Sequence, residues 1–253
     1  MNPTIAVATA IRVLRQLRAD PRTVGLVVAV PTALLALLYF LYRDYGRFPG
    51  MTGHPFFDRI ALVMLGVLPF ALMFIVTSIA MQRERVSGTL ERLLTTPLAK
   101  ADLLVGYAAA FSVAAAVQAV VATAVTVYLL GMKTAGSVGL VVLIAVVDAV
   151  LGVALGLLCS AFARTEFQAV QFMPIVVVPQ IFLCGLLVPR DQMPDWLQWI
   201  SRILPLTYAV DALREVGVHP NATAAMWVDL AVVAGFAVVG LGLAAATLQR
   251  STR

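Results

Sequence analysis

The sequence predicts an all-helical protein that crosses a membrane six times, and three observations support this fold class. Of its 253 residues, 61% are hydrophobic and 12% are charged, whereas soluble domains are roughly 45–50% apolar and about 25% charged. Six apolar runs are long enough to span a bilayer core, which takes about 20 helical residues. The runs also lack the alternation of barrel strands, and a helix satisfies its own backbone inside lipid.

The predicted spans make one transmembrane domain over residues 1–253, and they cover residues 24–42, 60–81, 103–130, 138–162, 167–188 and 227–248. The first span is not expected to be a cleaved signal peptide, because it is longer than a signal core and follows an arginine-rich segment. The two histidines, His54 and His219, lie in different loops, so no histidine-based metal site is expected.

Residues 5–22, ahead of the first span, are predicted to form an amphipathic helix. Four arginines share one face at helical spacing: Arg12, Arg15, Arg18 and Arg22. The opposite face carries Ala10, Val13, Leu14 and Leu17. Such a helix is expected to lie in the headgroup region with its apolar side down, either as a topology anchor or as a docking site for a partner.

The charges in the loops predict the orientation. With both termini on one side of the membrane, that side collects eleven lysines and arginines and the other side seven. Cytoplasmic loops carry the excess of positive residues, so both termini are predicted to be cytoplasmic. The net charge of +5 is spread over several loops, which fits contact with anionic membrane lipids better than nucleic-acid binding.

Between the fifth and sixth spans, residues 193–216 are predicted to form two short helices on the outer side. Pro205 separates the two helices, and neither is long enough to span a bilayer. The first has apolar residues at helical spacing: Trp196, Trp199, Ile200, Ile203 and Leu204. The favoured interpretation is a re-entrant pair that dips into the outer leaflet with its tryptophans at the interface. A pair of helices lying on the surface is the alternative.

The cytoplasmic connection between the second and third spans predicts a further short amphipathic helix, over residues 83–96. Thr96 before Pro97 marks its end. Its apolar stripe consists of Leu90, Leu93 and Leu94. The pattern alone leaves two interpretations open: a helix whose polar side contacts a cytoplasmic partner, or a solvated loop helix without one.

Three polar residues lie about midway through predicted spans: Gln118, Asp148 and Gln180. Polar groups at membrane depth are costly and usually face a bundle interior or a cavity. These residues are therefore candidates for a transport pathway. The alternative is that they hydrogen-bond to one another and hold helices together.

The fourth span carries a ridge of small residues. Gly152, Gly156 and Ser160 follow one another at intervals of four, a spacing that lets two helix backbones approach closely. We expect this ridge to serve packing within the chain, in preference to a contact between two copies.

Two stretches of the sequence resemble the ABC-2 family of transporter permeases, which includes bacterial drug-resistance, nodulation and polysaccharide exporters. They are ERVSGTLERLLTTPLAKADLLVG, residues 84–106, and LCGLLVPRDQMPDWLQWISRILPLTYAVDALR, residues 183–214. Within the family, the chain looks most similar to daunorubicin-resistance-type and nodulation-type permeases. The resemblance covers essentially the whole chain, and it implies the permease subunit of an exporter in a bacterial inner membrane.

The resemblance also implies that the helix over residues 83–96 is a coupling helix, which sits in a groove of an ATP-hydrolysing subunit. The residues expected to contact that subunit are Glu84, Gly88, Thr89, Glu91 and Arg92. The outer helices are expected to act as a gate built from Pro194, Trp196, Trp199, Pro205, Tyr208 and Arg214. A second copy of the chain or a related permease is expected to complete the pathway for an amphipathic drug, a lipid or a glycan.

The sequence contains no phosphate-binding loop of the form G-x-x-x-x-G-K-[ST]. Neither of its two lysines, Lys100 and Lys133, follows a glycine. We therefore expect this chain to hold no cofactor of its own, and a separate ATPase subunit to bind ATP and Mg²⁺.

Two other function classes fit the sequence less well. A self-sufficient secondary transporter or channel should show internal repeats and ion-coupling residues at mid-membrane, and Asp148 is the one clear acidic residue well inside a predicted span. An integral membrane enzyme needs clustered acids, histidines or a nucleophile, and no such constellation appears in the sequence.

Overall fold

A computed structural model of the chain describes residues 3–44, 55–87 and 100–247. The regular elements within those ranges are helices, without a strand, and six of them are long and apolar enough to cross a membrane. The predicted fold class, an all-helical protein with six spans, is confirmed.

We label the described helices in chain order. They are α1 (Pro3–Ala19), α2 (Pro21–Tyr42), α3 (Pro55–Val86), α4 (Lys100–Ala124), α5 (Val138–Ser160), α6 (Glu166–Leu183), α7 (Asp195–Ile203), α8 (Pro205–Val218) and α9 (Ala224–Thr247). The six apolar helices are α2 to α6 and α9. A π-helical turn, Val125–Leu129, extends α4.

The N-terminal helix is shorter than predicted, because α1 ends one residue before Asp20 and α2 begins one residue after it. The Asp20 side chain caps α2 by accepting a hydrogen bond from the backbone N–H of Thr23 at 3.2 Å. Pro21 takes the first helical position, where its missing N–H costs nothing. Arg22 therefore lies on α2 and not on the predicted helix over residues 5–22.

The apolar face of α1 packs against α4. A Cβ atom at Gly106 of α4 would lie 2.5 Å from the Cβ of Thr9, so only glycine permits this approach of the two helices. The four apolar residues predicted for this face belong to a core cluster that includes residues of α4: Ala10, Val13, Leu14 and Leu17.

Helix α3 runs to Val86, five residues beyond the predicted end of the second span. Residues 70–87 contain neither glycine nor proline, so nothing interrupts the helix before Gly88. The prediction that a separate helix begins at residue 83 is wrong, since Glu84 lies on the last turn of α3. The rest of the predicted coupling helix lies outside the described residues, and with it Gly88, Thr89, Glu91 and Arg92.

Helices α3 and α5 form the centre of the bundle and are the most buried of the spanning helices. A Cβ atom at Gly152 would lie 2.3 Å from the carbonyl oxygen of Phe70, and one at Gly156 would lie 2.5 Å from that of Phe74. Glycine at these positions lets α5 approach the backbone of α3. The prediction that the small-residue ridge serves packing within the chain is confirmed for both glycines.

Helix α6 ends at Leu183, five residues before the predicted end of the fifth span. Gly185 has φ of +89°, a left-handed conformation that terminates helices and that glycine adopts without strain. The chain then turns through a short 3₁₀ segment, Arg190–Gln192, towards the outer pair of helices.

The outer pair consists of α7 and α8, with nine and fourteen residues, so neither reaches the length of a span. Pro194 precedes α7, and Pro205 opens α8 after a one-residue break at Leu204. Helix α8 is packed into the bundle against α3, α5 and α9, with Leu206, Val210 and other residues fully buried. The predicted pair of short helices is present, and the second one is an interior helix.

Candidate functional site

One end of the bundle joins the last turn of α3 to α1. The guanidinium of Arg12 lies 3.6 Å from the carboxylate of Glu84, and the amide of Gln16 donates a hydrogen bond to the same carboxylate at 3.4 Å. Arg12 also donates to the hydroxyl of Tyr107 on α4 and lies over its ring. Glu84, predicted to contact an ATPase, is thus held by α1 and only 14% exposed in this chain.

The residue before Glu84 joins α3 to a second helix. Arg83 lies 3.3 Å from one carboxylate oxygen of Glu166, and its second nitrogen lies 3.4 Å from the other. Glu166 is the first residue of α6, so a negative side chain sits where the helix dipole favours it. The last turn of α3 therefore contacts α1 through one residue and α6 through its neighbour.

The three polar residues of the membrane interior are all buried, at no more than 2% exposure. Gln180 donates to the carbonyl of Val176 at 2.9 Å and accepts from the N–H of Leu206 at 3.3 Å. That N–H belongs to the first turn of α8, where no carbonyl of the helix itself is available to accept it. Gln180 thus joins α6 to α8 through backbone groups and makes no bond to the other two.

Gln118 and Asp148 are buried without a hydrogen-bond partner for either side chain. The interpretation that the three polar residues bond to one another is therefore wrong, since no hydrogen bond links them. Asp148 faces α3, where a Cβ atom at Gly66 would lie 3.4 Å from one of its carboxylate oxygens. Burial of a polar group without a partner costs free energy, so neither side chain contributes a stabilising hydrogen bond in this conformation.

The opposite end of the bundle contains an ion-pair cluster between the α6–α7 connection and α8. Arg190 lies 2.5 Å from Asp211, and Arg214 lies 3.9 Å from the other oxygen of that carboxylate. Arg214 also donates to the carbonyl of Gly185 at 2.5 Å. Burial raises the pKa of Asp211 to about 6, although Arg190 opposes that shift.

The predicted gate residues divide into two groups in the structure. Trp196 and Trp199 lie on the exposed face of α7, at 63% and 66% exposure, as is typical of a membrane interface. Tyr208 donates from its hydroxyl to the carbonyl of Arg202 at 2.6 Å and so joins α8 to the end of α7. Arg214 lies further along α8 and contacts Gly185, which follows α6. No contact described in the structure links Arg214 to the tryptophans.

Sequence reasoning missed several residues that position the outer helices. Ser201 donates to the carbonyl of Leu183 at 2.9 Å and lies 3.3 Å from the hydroxyl of Thr207, so it joins α6, α7 and α8. Arg190 and Asp211 were also missed. The three-residue spacing of Asp211 and Arg214 was a usable signal for an ion pair on one helix face, but nothing in the sequence pattern identifies Arg190 as their partner.

Comparison with known proteins places the chain in a family. A family model described as ABC-2 type transporter matches residues 6–218. The ABC transporter G family member 20 of Dictyostelium discoideum is 29% identical over 213 residues, which are 81% of this chain and 29% of that protein. The probable multidrug ABC transporter permease YbhR of Escherichia coli (strain K12) is 31% identical over 156 residues, 62% of this chain and 42% of that protein. Nodulation protein J of Bradyrhizobium diazoefficiens is 29% identical over 188 residues, 73% of this chain and 70% of that protein.

The chain spans less than half the length of the first two of these relatives. The family match begins within α1, includes the first five spanning helices and ends with the last residue of α8. It therefore contains the junction of α3 with α1 and α6, the buried polar residues and the outer pair. The chain is a multi-pass membrane protein and belongs to the ABC-2 type transporter family.

Proposed function

We propose that this chain is the transmembrane subunit of an exporter driven by a separate ATP-binding cassette subunit, which binds ATP and Mg²⁺. The observation that carries the proposal is the last turn of α3, where adjacent residues contact α1 and α6. The chain continues from this turn directly into the predicted coupling segment. A movement imposed on that segment would therefore reach three helices at once.

The packing of α3 explains how such a movement would reach the bundle interior. Gly152 and Gly156 bring the backbone of α5 against α3, and tightly packed interiors transmit displacement because they compress little. A tilt of α3 would carry α5 with it, while the pair between Arg83 and Glu166 would pull on α6. The coupling segment would in this way move three of the six spanning helices.

The proposed transport pathway includes the buried side chains that the fold leaves without partners. Gln118 and Asp148 make no hydrogen bond in this conformation, so they retain the capacity to bind a polar part of a substrate or water in another one. The proposed substrate is an amphipathic drug, a lipid or a glycan.

The proposed assembly contains a second copy of the chain or a related permease. Helices α2 and α6 are the least buried of the spanning helices, so each has a face free for a second chain or for membrane lipids. We place the protein in a bacterial inner membrane with both termini cytoplasmic, in agreement with its eleven-to-seven distribution of lysine and arginine.

A second candidate, a self-sufficient secondary transporter or channel, is favoured by one observation. A buried carboxylate without a partner, as at Asp148, is typical of ion-coupling sites in such proteins. The two candidates differ in their energy source. Export that follows an ion gradient in vesicles without any ATPase would establish the second candidate and exclude the first.

The test of the proposal is reconstitution of the chain in liposomes with a candidate ATPase subunit. The expected result is a stable complex whose ATP hydrolysis changes when the chain is present, and that change should be weaker for Glu84→Ala. The matched control is Asp195→Ala, another acidic residue at the opposite end of the bundle, in the first turn of α7. No complex and no change in hydrolysis with any ATPase encoded alongside the chain would overturn the proposal.

A further inference from the structure

A cleft of about 700 Å³ lies between α2 and α3, with residues of α1 and α4 at its base. At the outer ends of the two helices the gap is closed, because the rings of Tyr39 and Phe57 stack edge to face with centroids 5.2 Å apart. The residues that line the cleft lie nearer the ends that carry Thr23 and Ser87, so we place its opening there. In the predicted orientation this opening faces the cytoplasmic leaflet.

The walls of the cleft are apolar along most of its length. On α2 they include Leu26 and Val30. On α3 a helical stripe of partly buried side chains lines the cleft: Leu72, Ile75, Val76 and Ile79. From Leu72 to Ala80 the apolar wall of α3 rises through eight residue steps, or about 12 Å at a rise of ~1.5 Å per residue. A hydrocarbon tail fits a slot of this length and composition.

The donors at the mouth of the cleft are engaged within the chain, namely those of Gln16, Thr23, Arg83 and Ser87. Its lining includes the carboxylates of Asp20 and Glu84. The guanidinium of Arg83, which also lines the mouth, is paired with Glu166 on α6. One oxygen of Glu84 lies 3.6 Å from Arg12 and accepts a hydrogen bond from Gln16, and its second oxygen is buried.

Asp20 contributes a negative charge to this mouth. Its carboxylate accepts hydrogen bonds from the hydroxyl of Thr23 at 2.6 Å and from the N–H of Thr23 at 3.2 Å. The hydroxyl bond, above all, holds the pKa of Asp20 below its usual value. A ligand headgroup at the mouth therefore meets the accessible anion of Asp20 beside the carboxylate of Glu84.

We propose that this cleft binds an amphipathic amine, with one hydrocarbon tail between α2 and α3 and a protonated amine donating to Asp20 beside Glu84. An ammonium group has three donors and no acceptor, so it can pair with a mouth lined by two carboxylates. Occupancy by the tail removes apolar surface from water or from loose lipid contact. This proposal names a substrate class for the proposed export function. Export of the amine rests on that function, whereas binding of the amine in the cleft does not.

The test is photolabelling of the full-length chain in lipid nanodiscs, without an ATPase. The probe is a long-chain alkylamine with a diazirine in its tail, and the matched probe carries the same tail with the amine acetylated. The labelled peptides are expected to contain residues 23–30 and 72–87. The amine probe should label them roughly two- to fivefold more than the acetamide, as for a partly exposed ion pair.

Two kinds of variant test the tail and the headgroup separately. Ile79→Trp fills the cleft and should reduce labelling to background, whereas Val113→Trp, on an exposed face of α4, should label as the parent does. Asp20→Asn keeps the cap of α2, since asparagine caps helices as well as aspartate, but removes the charge. Asp20→Asn and Glu84→Gln should each reduce the preference for the amine while leaving acetamide labelling unchanged.

Equal labelling of the two tryptophan variants, or equal labelling by the two probes, would overturn the proposal. If Ile79→Trp does not fold, the Asp20→Asn and Glu84→Gln results still decide it. Specific labelling of a chain that no ATPase recognises would instead refute the export function and leave the cleft as a binding site. The failures of the two proposals are therefore distinguishable.

Discussion

The carbonyl oxygen of Phe70 on α3 occupies the space that any side chain at position 152 of α5 would need. A Cβ atom at Gly152 would lie 2.3 Å from that oxygen, and the same relationship recurs one turn along between Gly156 and Phe74 at 2.5 Å. Backbone atoms cannot move aside as the end of a flexible side chain can. The two most buried spanning helices therefore depend on glycine for their contact.

Gly152→Ala should destabilise the protein by about 1–3 kcal/mol, because the added methyl group forces α3 and α5 apart. The matched control is Gly242→Ala on α9, where an added Cβ meets nothing within 4 Å. That change should be neutral or stabilise by up to about 1 kcal/mol through helix propensity. Thermal unfolding of both variants in the same detergent measures the difference, and equal effects would refute the close contact.

Reversing either charge of the pair between Arg83 and Glu166 should weaken ATP-coupled transport. The two side chains are 65% and 44% exposed. The free energy of their interaction, which Arg83→Glu or Glu166→Arg removes, should therefore be modest, on the order of 0.2–1 kcal/mol. The double reversal should restore coupling, since the pair is then re-formed with opposite polarity. Arg43→Glu, at the other end of the bundle, serves as a control, and a double variant no better than the singles would argue against the pair.

The same substitution at two buried glutamines should have opposite effects on stability. Gln180→Leu removes two hydrogen bonds and leaves the N–H of Leu206 unsatisfied, for a loss of about 1–3 kcal/mol. Gln118→Leu removes a side chain that has no partner, so unfolding should be unchanged or shifted upward. Transport assayed at equal expression then tests Gln118 for a pathway role, which a normal rate in the leucine variant would exclude.

Gly185→Ala should destabilise the folded protein more than Gly131→Ala does, although both glycines have positive φ, of +89° and +71°. The backbone strain is common to the two positions. Only at position 185 would the new Cβ meet another group, 2.7 Å from the guanidinium of Arg214, while position 131 is open. The difference in unfolding temperature between the variants reports this contact, and no difference would mean that the guanidinium of Arg214 moves aside without cost.

The ion-pair cluster predicts a specific pH dependence of stability. Burial raises the pKa of Asp211 to about 6 in the folded chain, above its usual 3.8. Between these values the folded state binds more protons than the unfolded state, so stability must fall as pH rises from about 4 to 6 and level off above that. The slope should be present in the parent and absent in Asp211→Asn, as measured by unfolding across pH 4 to 8. Parallel curves would show that the carboxyl titrates normally.

The spanning helices were predictable because hydropathy over about 20 residues reports directly on the solvent that a helix meets. The ends of these helices were harder to predict. Helix α3 continued to Val86 because the charged residues after Met81 are good helix formers, and a hydropathy criterion treats charge as an end. Helix α6 stopped early because Gly185 adopts a left-handed conformation. A hydropathy profile does not detect this end, because the residues around Gly185 are apolar.

The partners of individual side chains could not be predicted in the same way. Helical periodicity indicates which face of a helix is buried, but not which helix that face meets. Arg12 and Glu84 are 72 positions apart, and their contact depends on how α1 is oriented against α4 and α3. Likewise, the depth of Gln180 in its span was evident from counting, whereas its bond to the first turn of α8 depends on the path of the chain between α6 and α8.

A single residue, Asp20, separates α1 from α2, so the two helices are joined with almost no free chain between them. A change in leaflet thickness or lateral pressure that tilted α1 would therefore also displace the first turn of α2. The width of the slot beside α2 would then vary with the surrounding bilayer. Lipid composition would thereby act on this protein as a mechanical variable, setting how easily a tail enters.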